Sequence, residues 1–432
     1  MNKKHLDYAE DWFIVLGFLF FSGALDELGI FPAILISLCR WFIAFGSLFL
    51  IATRFNFLTW KCSRDPFLVA VIALASISFV WSDFSSDTFI RVRSELLPMT
   101  SFGLYLGASF DIKTLIKKIR NAVIVGLLLS WLTAIAIPSI GKAQGNFSGA
   151  WTGVYGHKNS SSTYMILTAL TLLLASFQKS SQRWMGIYRH NWFRCLGISA
   201  FIFIFLTTSG TGLVLSILIT FNLLLYSRFR WRGKITVLLL DLAILVLGSV
   251  AIIVLGNWHT ILTGMGKDPT LTGRTTFWEI SIQALLNHSP LLGFGRGGFW
   301  APGSPYLQEI ARAFGATGAY GGGYVPPHAH NGFIELALDV GLVGLSLFFI
   351  SFLFIWFRSL KQGYGVKEPE NLFPLGFMIL FSVNNITESY TLYLYNMFWP
   401  LYIAIALNVG QLKLRRKSVE TKLQSSPMVL RS

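Results

Sequence analysis

Apolar runs follow one another along almost the whole chain, separated by polar connections. Runs with few charges fall at 12–30, 32–53, 66–81, 96–110, 119–138, 160–177, 193–208, 211–226, 235–256, 332–357, 372–387 and 391–409. Crossing a bilayer core of about 30 Å takes about 20 apolar helical residues. Backbone polar groups in lipid must be satisfied within the segment, which selects helices over open sheet. The pattern therefore predicts an all-α polytopic membrane protein with about twelve transmembrane helices. The run at 12–30 carries Asp26 and Glu27 near its far end, and those at 66–81 and 96–110 are short for a full crossing. Residues 1–432 read as one integral membrane domain, with no soluble domain attached and no internal repeat.

Composition agrees. The chain is 53% hydrophobic and 13% charged, whereas a soluble domain carries about 25% charged residues. A soluble globular enzyme, a disordered chain and a disulfide scaffold are excluded. Cys39, Cys62 and Cys195 show neither metal-ligand spacing nor a pairing pattern. The net charge of +15 would by itself suit a nucleic-acid partner. Its distribution argues against one, because alternate connections and the two ends hold 26 of the 35 Lys and Arg. Those connections, both termini and the basic tail at 410–432 are predicted to be cytoplasmic. Lys3 and Lys4 precede the first run with no small-residue cleavage pattern, which predicts a retained signal-anchor.

This topology leaves short connections on the outer side and one long one, 257–331. A connection of that length marks a functional or mobile segment. Within it, 274–288 places Phe277, Ile280, Ala284 and Leu285 at helical spacing, which predicts a short amphipathic helix on the membrane surface. The run at 318–323 (GAYGGG) reads as a flexible loop tip of the kind lids use.

The outer side holds Arg91, Arg93, Lys142, Lys158, Lys267, Arg274, Arg296 and Arg312. Singly these are ordinary solvated charges. Together they suggest an anion site, because a guanidinium is a planar fork that matches phosphate oxygens. Arg274 opens the predicted helix, where backbone N–H groups favour an anion; its alternative is an anchor to lipid phosphate. Lys158 precedes a run, Asn159 to Ser162, suited to capping the next helix. A cation at that positive helix end is unfavourable unless an anion binds there; the alternative is a plain boundary lysine. Arg91 and Arg93 are two apart and face different sides of a helix, with Asp83, Asp87 and Glu95 as available partners. Arg40 lies within a span and is expected to pair with Asp26 or Glu27.

The densest chemistry is VPPHAHNGFIELALDVGLVG at 325–344. His328 and His330 close the long connection, Asn331 follows, and Glu335 and Asp339 share one face of the next helix. A neutral His is a suitable general base, and a carboxylate can orient it. Two His in this spacing are also possible metal ligands, but the sequence shows no third, so no metal and no cofactor is expected. His157 neighbours Lys158 and joins the candidates. Residues 293–298 (GFGRGG) match G-x-G-x-x-G without a strand–helix context, so a dinucleotide site is rejected.

These pieces in order, WSDFSSDTFIRVR, GVYGHKNSSS, TTSGTG, LTGRTTFWE, SPLLGFGRGGF and HAHNGFIELALDVGLVG, resemble the O-antigen ligase and Wzy-type polysaccharide polymerase superfamily. The likeness spans most of the chain, is strongest over 150–345, and lies nearest the exopolysaccharide-polymerase branch. The resemblance implies a GT-C-like membrane glycosyltransferase at the outer face of the bacterial inner membrane. Its donor would be an oligosaccharide on undecaprenyl diphosphate, and a hydroxyl of an acceptor glycan would attack it. A flippase and a chain-length regulator would be expected partners, with no nucleic acid. On that likeness His330 is the base and Arg274 the principal cation; Lys158, His157, Arg91, Arg296, His328, Asn331 and Glu335 bind diphosphate or sugar. Arg296 ranks lower, and the extra His328 leaves open which His acts. A ligase or protein O-oligosaccharyltransferase differs only in acceptor. A lipid-glycan transporter would place ionisable residues along its spans, and a membrane scaffold would not explain Arg274 with His330.

Overall fold

Every predicted apolar run but 235–256, which lies outside the described residues, contains a helix. The structure is a computed structural model that describes residues 3–144, 148–229, 274–313, 328–365, 368–393 and 395–410. The GAYGGG run and most of the basic tail also fall outside them.

The helices are α1 (Lys3–Phe21), α2 (Ala24–Glu27), α3 (Ala33–Ala52), α4 (Phe55–Cys62), α5 (Pro66–Ile77), α6 (Ser85–Arg91), α7 (Leu97–Ser109), α8 (Ile112–Ala136), α9 (Pro138–Gly141) and α10 (Lys158–Ser176). They continue with α11 (Arg189–Leu206), α12 (Gly210–Phe229), α13 (Arg274–His288), α14 (Pro305–Ala313), α15 (Gly332–Gly365), α16 (Phe373–Thr387) and α17 (Phe398–Asn408). A two-stranded hairpin, Arg183–Trp184 with Ile187–Tyr188, leads into α11. The chain is thus all-α, and α3, α8 and α15 are each long and apolar enough to cross a membrane.

Three departures from the sequence pattern matter. The run at 12–30 is not one helix. It breaks after Phe21, where Gly23 takes a left-handed φ of 78° and the Ser22 hydroxyl donates to the Leu19 carbonyl. The run at 391–409 becomes helical only at Phe398, because Leu392 and Tyr395 are left-handed and Asn385 Oδ1 accepts from Tyr390 N–H and the Thr391 hydroxyl. Hydropathy counts Leu and Tyr as apolar whatever their backbone does, so the sequence hides this loop. Finally, α15 is broken at Gly341 (φ 67°, ψ −172°). Pro290 O accepts from Leu342 N–H at 2.8 Å, and Leu338 O receives Phe294 N–H at 2.7 Å. The 289–294 segment thus supplies the hydrogen bonds that the break removes.

One large apolar core joins the helices. Within it α7 and α17 approach closely through Gly103 and Gly107: a Cβ on Gly103 would lie 2.9 Å from Pro400 Cα. Small residues four apart permit such backbone contact between membrane helices. Lys61, one of the basic connection residues, is not solvated. Its amine donates to Gly107 O (2.6 Å), Phe110 O (3.2 Å) and Asn408 Oδ1 (2.8 Å). It thereby satisfies carbonyls at the end of α7, and burial lowers its pKa to about 8.

A second, smaller core lies outside the first. There α13 buries Phe277, Ala284 and Leu285 with Phe294, Phe299 and Trp300 of the following loop, Leu307 and Ile310 of α14, and Ala329. The apolar face expected on the membrane surface is therefore covered by protein, while Ile282 and Leu286 stay exposed.

Candidate functional site

Three helices begin at one place. The N-termini of α10, α13 and α15 converge on Glu388, which follows the last residue of α16. Each reaches it with a side chain at or beside its first turn. Asn159 Nδ2 donates to Glu388 Oε1 at 3.2 Å. The Arg274 guanidinium lies 3.6 Å from the same oxygen and donates to Thr387 O at 2.6 Å. His330 Nδ1 lies 2.9 Å from Glu388 Oε2. A helix N-terminus carries partial positive charge and unpaired N–H groups, so three of them with an Arg make a strongly anion-attracting point.

Local sequence explains each placement. His157 caps α10 by accepting Asn159 N–H on Nδ1 at 3.3 Å. The cap is thus His157, not the Asn159–Ser162 run, which frees the Asn159 side chain to bind Glu388 and Ser209 (3.0 Å). Lys158 is the first residue of α10 and, with Arg274, lies within electrostatic reach of His157. Asn331 caps α15 by accepting Phe333 and Ile334 N–H groups at 3.0 and 3.2 Å, the usual work of such a residue before a first turn. His330 itself has a left-handed φ of 48°, uncommon for a residue with a Cβ and common at functional loops.

The electrostatics separate the titratable groups. Burial alone would raise Glu388, but the hydrogen bond and charge of His330, with His328 and Arg274, outweigh it and hold Glu388 near 2. Burial first, then the neighbouring His330, pushes His328 down to about 3. At neutral pH the site therefore contains an ionised carboxylate and a neutral His328.

Behind this point lies a second, buried layer. Arg296 is fully buried, with a guanidinium nitrogen 3.0 Å from Glu95 and another 3.3 Å from Asp339. Asp339 also accepts Gly297 N–H at 2.7 Å. The GFGRGG segment explains itself here: Gly293, Gly295 and Gly297 are all left-handed, and the turn packs against Ser82, Arg91 and the break in α15. It is a packing device. Glu95 reaches Arg296 from a π-helical turn, Val92–Leu96, between α6 and α7. Such turns often mark functional positions.

Several sequence expectations need correcting. Arg296 does not face a ligand; it is sealed between Glu95 and Asp339. Glu335 accepts Ala329 N–H at 2.8 Å and is buried, so it shapes the loop before His330. Neither Glu335 nor Asp339 is the carboxylate on the histidine. Glu95 pairs with Arg296, not with Arg91 or Arg93. Arg91 lies against Gly297, and Arg93 is exposed over the Phe89 ring. Arg40 meets the Tyr395 hydroxyl at 3.5 Å in place of Asp26 or Glu27. By contrast His330, Arg274, His157, His328 and Asn331 do lie together. The sequence reading missed Glu388, Tyr393 and the role of Asn159. Glu388 had one available signal: it is an acid in a very short outer connection between two predicted spans.

His328, His330 and Glu388 offer ligand atoms within 4.8 Å of one another, close enough to share a metal ion. One feature opposes a cation there: the Arg274 charge lies 3.6 Å from the carboxylate.

Replacing Arg296 with Met should destabilise the fold strongly. Breaking a buried pair leaves its partner uncompensated and costs about 3–5 kcal/mol. A clear fall in the melting temperature of the purified protein is expected; an unchanged one would show that Arg296 carries no structural charge pair.

Residues 195–349 match the family model described as O-Antigen ligase. The chain is 28% identical over 332 residues to the exopolysaccharide production protein ExoQ of Rhizobium meliloti, covering 74% of this chain and 71% of that protein. A solved chain from a study titled "Structural coordination of polymerization and crosslinking by a peptidoglycan synthase complex" aligns at 16% identity and a TM-score of 0.36, over 86% of this chain and 97% of its own.

Proposed function

We propose that the chain is a member of the O-antigen ligase and Wzy-type polymerase superfamily, to which it is similar in sequence, and that it is a membrane glycosyltransferase that polymerises oligosaccharide repeat units. The donor in this reading is a glycan on undecaprenyl diphosphate at the outer face of the bacterial inner membrane, with both termini of the chain cytoplasmic. One observation carries it: the convergence of three helix N-termini, Arg274 and Lys158 beside a carboxylate-held histidine. A diphosphate needs cations and N–H groups, and an acceptor hydroxyl needs a base.

The steps follow from the groups present. The donor diphosphate docks at the helix N-termini, and Arg274 turns one arm of its guanidinium from Glu388 to the diphosphate while the other stays on the Thr387 carbonyl. The acceptor hydroxyl oxygen attacks the anomeric carbon. The bond from that carbon to the diphosphate oxygen breaks, and its electron pair leaves with the lipid diphosphate. The hydroxyl proton passes to His330 on Nε2, the nitrogen not engaged with Glu388. A diphosphate is already a stable anion, so the step needs no proton donor, and Arg274 with Lys158 supplies the charge a metal would otherwise bring.

Transfer to a lipid core or protein in place of a growing glycan is the second reading, favoured by the name of the matching family model. The name of the ExoQ relative favours polymer production. The test is the product ladder. Purified protein in lipid, given an undecaprenyl-diphosphate oligosaccharide from its own host and a metal chelator, should yield products at multiples of the repeat. Unchanged donor that is consumed only when a lipid-core or protein acceptor is added would establish the ligase. Donor moved across the bilayer without new glycosidic bonds would establish a transporter.

A further inference from the structure

The stretch HAHN contains two histidines, and they are not equivalent. His330 directs Nδ1 at Glu388, whereas His328 Nδ1 accepts the backbone N–H of His330 at 3.0 Å. We infer that His328 is a positioning residue: its Nδ1 braces the backbone of His330 in the left-handed conformation that turns the His330 ring toward Glu388. This rests on the reading of His330 as the base.

His330 sits at φ 48° without being glycine, and such a conformation persists only where the surroundings over-determine it. The surroundings do so on both sides. Ala329 N–H is held by Glu335 at 2.8 Å and Ala329 O by Trp278 Nε1 at 2.7 Å. The His330 N–H, next along the turn, is held by His328 Nδ1 at 3.0 Å. A short acceptor on residue i bonded to the N–H of residue i+2 is the bond that Asn and Asp make in turns. His157 makes the same i to i+2 bond to Asn159 N–H, so the device appears twice at this site.

The ring of His328 is also wedged in place, 4.1 Å from the His330 ring and 4.8 Å from that of Tyr393 between centroids. Its low basicity follows from burial and keeps the Nδ1 lone pair free to accept. A nitrogen occupied in this way cannot take the proton of an acceptor hydroxyl, and the base role therefore stays with His330.

The chemistry gives a discriminating pair of substitutions. In Asn, Oδ1 stands where His carries Nδ1, so His328→Asn keeps the brace. In Gln, the amide nitrogen stands near the place of Nε2 and the short acceptor is lost, so His328→Gln keeps only a distal donor. With wild-type melting temperature as the control, His328→Asn should retain kcat within about threefold. His328→Gln and His328→Phe should lose about 10- to 100-fold in kcat with little change in donor KM, as expected when a reacting group is misplaced. Gln as active as wild type, or Asn as poor as Phe, would overturn the brace.

A second readout needs no turnover. In 15N-histidine NMR of the unreacted protein in lipid, His328 Nδ1 should be unprotonated and hydrogen-bonded. The hydrogen-bonded Nδ1 signal of His330 should survive His328→Asn and be lost in His328→Phe. A proton on His328 Nδ1, or a His330 signal indifferent to His328→Phe, defeats the inference even if the wild type transfers glycan. If the wild type transfers nothing, the reading of His330 as base fails by itself, and the NMR result still decides the brace.

Discussion

The His330→Ala protein should reach wild-type membrane levels and make no polymer. A general base contributes about 10²- to 10⁴-fold, and loss on that scale leaves unextended donor on a product gel. The expectation rests on position: His330 is the imidazole among the site histidines whose Nδ1 meets a carboxylate, at 2.9 Å. Glu388→Gln should be milder and more informative. Its carboxyl is held near 2 by His330, His328 and Arg274 against the effect of burial. A depressed acid lends its stabilisation fully above its ordinary value of about 4.5 and loses it as pH falls toward 2. Glu388 is thus ionised at neutral pH. The carboxylate 2.9 Å from His330 Nδ1 orients the ring and stabilises the imidazolium formed when His330 takes the proton, so in Glu388→Gln the maximum rate should fall. Long polymer from His330→Ala, or an unchanged maximum rate in Glu388→Gln, would remove this pair from the reaction.

Much of the helical framework was legible because long apolar runs with few charges are a strong signal for helices. The site was legible in part. Asn331 announced itself as helix-start chemistry before 332, and its side chain caps that helix; Arg274 lies in a helix, as its spacing predicted. Glu388 was invisible for a different reason. Its partners Asn159, Arg274 and His330 are 229, 114 and 58 positions away, so no local spacing links them. Arg296 misled in the opposite sense. An outer arginine looks like an anion ligand until tertiary packing supplies Glu95 and Asp339, residues 201 and 43 positions away. Lys61 shows the same limit, since counting it as a loop charge hides its role in closing the ends of two helices.

Arg274→Lys should be almost as damaging as its removal, despite keeping the charge. In the structure the guanidinium is used as a fork. One nitrogen donates to Thr387 O at 2.6 Å and the other faces Glu388 at 3.6 Å. Those two contacts fix the plane of the group at the start of α13, where Phe277 is packed into the outer core. Exchanging Glu388 for diphosphate oxygens then requires only that one arm change partners while the other stays pinned. Lysine has a single point of charge on a flexible stem and cannot hold both. Loss of a preorganised donor to a developing anion costs about 10²- to 10³-fold in kcat, and a loss of that size is expected for Arg274→Lys with the ladder assay. The competing role, an anchor of α13 to lipid phosphate, predicts the reverse, because a lysine anchors to a headgroup as well as an arginine does. A Lys variant with wild-type turnover would therefore assign Arg274 to the membrane surface and leave Lys158 as the principal cation for the leaving group.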